Sequence, residues 1–145
     1  MALSTLTPTA ADFGAEQSFM TTLIDQYNNR KGAGDAISSI IGMYLTEARA
    51  MLTLDLQEML GLDPADATDS ADLDALVDAH PARMKRALAK LQTVLFWGDN
   101  MGEEGSVAAQ RLRKAESEYA AMKSAFTGLR GASGSDRVQS VRVVI

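Results

Sequence analysis

Between positions 104 and 129 the apolar residues fall at Ala108, Leu112, Ala115, Tyr119, Met122, Phe126 and Leu129, in alternating steps of four and three. That spacing keeps one face of an α-helix apolar, whereas a strand would need alternation by two. A helix over 104–129 would be about 35–40 Å long, and its seam must be covered by helices of comparable length. The sequence supplies one over 81–97. There Met84, Leu88, Leu91 and Leu95 make a second seam, Phe96 and Trp97 close it, and Pro81 suits a first helical turn. The later seam is short and contains alanines, so packing within the chain is expected ahead of an intermolecular coiled coil.

Upstream, Phe19, Met20, Leu23, Ile24 and Tyr27 predict a helix over about 14–30, broken by Gly32 and Gly34. A longer helix is expected from Asp35 to about Met59. Its face holds Ile37, Ile41, Tyr44, Ala48, Met51 and Leu52, continued by Leu56, Met59 and Leu60, and its length invites a kink. Six aspartates lie between Asp63 and Asp78, where a polar loop and a short helix carrying Leu73, Leu76 and Val77 are expected, capped by Asp69 or Ser70. Residues 1–11, rich in Thr, Ala and Ser with Pro8, read as an extended or mobile arm. The expected fold class is mainly α: a small bundle of about four to five helices over 1–131, an extended N-terminal arm, and a hinge with a C-terminal β-strand tail over 132–145.

A chain of 145 residues fits one domain with a sizeable core. No stretch of about 20 apolar residues suggests a membrane span, and the first residues lack the pattern of a secretory signal. With no cysteine, disulfides and thiolate chemistry are excluded. The net charge of −5 hides a division: residues 1–80 carry three basic and thirteen acidic groups, whereas 81–145 carry eleven basic and six acidic. Such asymmetry fits either packing of the two halves or a charge-complementary subunit contact.

Signals for catalysis are weak. The aspartate-rich stretch places Val77 where a calcium loop needs glycine, and no glutamate closes it. His80 is the single histidine, without a zinc-ligand set or a triad around it. The glycines of "GAGDAISS" precede a helix start, a weak hint of an anion site that a plain turn explains equally well. No cofactor is expected, and no enzyme. An enzyme reading would need Asp35, Glu47 or Asp55 gathered in a pocket.

Two basic clusters are more informative: Arg83, Lys85, Arg86 and Lys90, then Arg111, Arg113 and Lys114. Cations in the first turns of a helix oppose its dipole, so an acidic segment, an acidic partner subunit or nucleic-acid phosphate should offset them. They are candidate subunit-interface or DNA-facing residues, with a solvated face as the plain alternative.

After "GLRGASGSD" the sequence reads "RVQSVRVVI". Val141, Val143 and Ile145 alternate as in a strand; Val138 lies off that alternation. Ordering costs about 1–2 kcal/mol of backbone entropy per residue, more in total than three aliphatic side chains recover at about 1.5–3 kcal/mol each. A strand ladder must supply the rest, from another chain by β-augmentation or from the N-terminal "STLTPT". The candidate partner-binding residues are Val138, Val141, Arg142, Val143, Val144 and Ile145.

The succession of "YLTEARAML", an acidic loop, "MKRALAKLQTVLFW", "AAQRLRKAESEYAAMKSAFTGLR" and an extended tail resembles the head–tail connector (adaptor) proteins of tailed bacteriophages, over about residues 15–145. The resemblance rests on architecture and pattern, and the acidic stretch departs from it. It implies a virion neck protein made in the host cytoplasm. Its copies would form a ring, commonly of about twelve, beneath the portal protein. The tails would reach the portal, the far face would meet the next neck, stopper or tail protein, and double-stranded DNA would pass through the centre. A small DNA-binding regulator and a stopper or tail-completion protein are the alternatives.

Overall fold

The computed structural model describes residues 3–31, 42, 44–100 and 105–132. Among them regular structure is helical throughout, and no helix is long and apolar enough to cross a membrane. The order is two short 3₁₀ turns, Leu3–Thr5 and Ala10–Phe13, then α1 (Glu16–Lys31), α2 (Leu45–Leu60), α3 (Ala67–Ala79), α4 (Pro81–Asp99), α5 (Val107–Ser124) and α6 (Thr127–Ala132). The helical bundle expected from the seams is therefore present. The tail over 133–145, with Val138, Val141, Arg142, Val143, Val144 and Ile145, lies outside the described residues.

The centre of the molecule is α4. It packs on α5 and α2, and it buries Met84, Leu88 and Leu91 while Leu95 is half-buried at the edge. The facing seam is also as expected: Ala115, Tyr119, Phe126 and Leu129 are buried, with Leu112 and Met122 half-buried. The two seams thus cover each other within one chain. A smaller cluster at the other end of α4 holds Phe13, Met20, Phe96 and Trp97, with the last two rings edge to face at 4.8 Å.

Several expectations need correction. Residues 3–11 are not an extended arm. Leu3, Leu6 and Pro8 are buried, the first two in the main core. Arg49 donates from Nε (3.1 Å) and Nη2 (2.8 Å) to the Leu6 carbonyl, and the Asp12 carboxylate accepts from the Thr9 backbone N–H at 2.7 Å. Tertiary burial overrides a composition with no helical or strand period. The long helix expected over 35–59 is interrupted at Tyr44, whose left-handed conformation (φ 59°) an α-helix does not accommodate: α2 starts after it at Leu45, while Gly42 before it is also helical. Residues 32–41 and 43, with Asp35, Ile37 and Ile41, lie outside the described residues. Met51, expected on the packed face, is instead 36 % exposed, because the buried side of α2 is Ala48, Leu52, Leu56 and Leu60.

At the end of α2, Gly61 (φ 66°) lets the Leu62 N–H return to the Gln57 carbonyl at 2.9 Å, a Schellman closure. The cap of α3 is Asp66, which accepts from the Thr68 N–H at 2.9 Å, instead of Asp69 or Ser70. Asp69 instead accepts from the Asp63 N–H at 2.8 Å, tying the loop to the helix. Pro81 stands at the start of α4 as expected. The last long helix starts at Val107, capped by Ser106, and is interrupted at Ala125–Phe126 by tighter i→i+3 bonds before α6 resumes.

Candidate interaction surface

The seven basic candidates fall into different environments. Lys90 is spent within the chain, its Nζ 2.8 Å from Glu118 across the α4–α5 contact. Arg111 is also turned inward. Its guanidinium lies 3.3 Å from the centroid of the Phe19 ring and 3.5 Å from Glu16 Oε1. Glu16, at 6 % exposure, accepts a second bond from the Trp97 indole N–H at 3.0 Å. One carboxylate at the start of α1 thus ties that helix to both α4 and α5. Its position in the first turn also suits the helix dipole. This knot joins residues 95 positions apart, and no local signal in the sequence reveals it.

The remaining cations stay near the surface: Arg83 and Arg86 are exposed, Lys85 is half-buried, and Arg113 and Lys114 are exposed on α5. The structure does not merge the two clusters. Lys90 faces Glu118 and Trp97 neighbours Arg111, so α4 and α5 run antiparallel in a fixed register. Arg113 and Lys114 then lie about 12–18 Å along the axis from Arg86 and Arg83.

Arg83 and Arg86 rim a groove of about 220 Å³ whose floor is Met122, Ala125, Phe126 and Leu129. Its lining on this side comes from both ends of the break between α5 and α6. The seam residues were legible in the sequence; the groove was not, because a continuous helix over 104–129 would have no such break.

Of the carboxylates named for an enzyme reading, Asp35 lies outside the described residues, and Glu47 and Asp55 do not gather. Glu47 is exposed, and Asp55 lies two turns further along α2, about 12 Å away. Asp55 accepts a 2.5 Å bond from the Tyr119 hydroxyl and lies 3.5 Å from Lys123 Nζ. Burial, followed by that carboxylate, pushes the Tyr119 phenol well above its ordinary range. Tyr44 is pushed up to about 12 by burial and by its bond to Asp99. Both tyrosines thus stay protonated donors, holding helices together. His80 forms the junction of α3 and α4, and its buried Nε2 meets no hydrogen-bond partner among the described residues. Among those residues no group of three His, Asp or Glu side chains is placed to hold a metal.

This surface combines an apolar floor with a cationic rim, next to the segment that leads into the tail sequence. Comparison with protein-family models, with curated proteins and with solved structures returns no match.

Proposed function

We propose that the chain is a structural head–tail connector of a tailed bacteriophage or phage-like particle. Its copies form a ring beneath the portal, their C-terminal tails pair with a neighbouring chain, and DNA passes through the centre. In this reading the protein is not an enzyme, needs no cofactor and resides in the virion neck.

The observation that carries the reading is the fate of the N-terminal arm. It was the in-chain candidate for pairing with the tail. Its residues Leu3–Thr5 are wound into a 3₁₀ turn, Leu3 and Leu6 are buried, and the Leu6 carbonyl is held by Arg49. A ladder for "RVQSVRVVI" is then expected from another chain. The helical body also suits a connector better than a stopper, which is more often β-rich. A DNA-binding regulator draws less support, because Lys90 and Arg111 already face carboxylates.

Native mass spectrometry and negative-stain imaging, with and without a phage portal protein, test the proposal. The expected result is a ring that joins the portal. A chain that remains monomeric and ignores that portal overturns it.

A further inference from the structure

The groove under Arg83 and Arg86 has an apolar floor, yet its rim carries cations in the first two turns of α4, where the helix dipole disfavours them. A matching occupant needs an apolar side chain to fill the floor and a carboxylate close by to meet the arginines.

This chain carries such a surface itself. On α2, Glu47, Met51, Leu54 and Glu58 follow steps of four, three and four, so they form one outward ridge, opposite the buried Ala48, Leu52 and Leu56. Leu54 is 63 % exposed and Met51 36 %, a high exposure for two large apolar residues on one line. Glu58 lies one turn beyond Leu54, about 6 Å along the axis. Its side chain is 72 % exposed and makes only a long 3.9 Å contact with Lys123. The other candidates fit less well. The buried Leu73, Leu76 and Val77 leave α3 without an exposed large apolar residue, and the exposed Val107 shares α5 with Arg111, Arg113 and Lys114, the same sign as the rim.

We infer that the groove beneath Arg83 and Arg86 receives the Glu47–Met51–Leu54–Glu58 ridge of a second copy of this chain. Leu54 fills the floor and Glu58 meets the arginines. Groove and ridge are different patches of one molecule, so the contact is head-to-tail and builds a ring or a filament; a single self-complementary patch would stop at a dimer. The contact goes beyond the connector reading and does not rest on it, since it needs no portal.

Two charge-reversed full-length chains test it, one with Arg83→Glu and Arg86→Glu, the other with Glu47→Lys and Glu58→Lys. All four positions are exposed, and circular dichroism checks that each variant keeps its helix content. In sedimentation velocity each variant alone should associate more than about tenfold more weakly than the parent chain. An equal mixture should recover assembly, because each variant offers the other a complementary groove or ridge. Leu54→Asp should weaken association on its own. A parent chain that stays monomeric, variants that assemble like the parent, or a mixture that fails to recover each overturns the contact. Assembly that persists in both variants would overturn it while leaving the connector reading standing.

Discussion

Tyr119 is buried between α2 and α5 with its hydroxyl 2.5 Å from Asp55, and Tyr44 makes the equivalent bond to Asp99. In both cases burial and a neighbouring carboxylate favour the neutral phenol, so the folded chain holds these protons more tightly than the unfolded chain. The sign of the linkage follows. Below pH 10, the ordinary tyrosine value, both states keep the proton and the stabilisation is complete. Between 10 and about 12 the unfolded chain releases protons that the folded chain retains, so stability is lost as the pH rises. Replacing Tyr119 by Phe should cost about 1.5–3 kcal/mol near neutral pH, because Asp55 loses a charged-acceptor bond. In urea unfolding, the gap between the parent chain and a Tyr44→Phe, Tyr119→Phe variant should narrow as pH rises through that window. A gap that stays constant would mean that these phenols contribute nothing through their protons.

At the scale of elements, the N-terminal arm departs furthest from the sequence reading. Leu6 is 4 % exposed, and Arg49 of α2 grips its carbonyl. Leu6→Ala should therefore cost about 2–5 kcal/mol, as at other buried leucines, measured by chemical denaturation. A mobile arm would tolerate it within about 0.5 kcal/mol. The contrast with α4 and α5 shows what sequence alone reveals. Their seams repeat over many turns, so Met84, Leu88, Tyr119 and Leu129 could be assigned to a core from spacing. Leu3 and Leu6 have no period, and only α2 and the core beneath it give them a place. Likewise, each cation of the two basic clusters was visible as a charge, but not that Lys90 and Arg111 turn to Glu118 and Glu16 while Arg83 and Arg86 stay at a rim. Those outcomes depend on helix register and on the interruption at Ala125–Phe126, where Ala, Phe and Thr carry no strong breaker signal.

At the scale of the whole molecule, the core cluster among the described residues runs from Leu3 to Leu129. Residues 136–145, outside the described residues, carry the strand pattern of the sequence. The two proposed contacts differ in chemistry and so are separable by experiment. The groove and the α2 ridge combine apolar filling with opposite charge, so that association should weaken as salt is raised. The proposed tail pairing would instead rely on main-chain hydrogen bonds, with alternate side chains adding specificity. Deleting residues 136–145 should leave the thermal midpoint and the salt-sensitive self-association unchanged and abolish binding to the portal. Reversing Arg83 and Arg86 should do the opposite to self-association while each single chain keeps a competent tail. Portal docking by that variant would be weaker than in the parent ring, because avidity is lost when tails no longer act together. Docking of the truncated chain with unchanged affinity would show that the tail is not the portal contact.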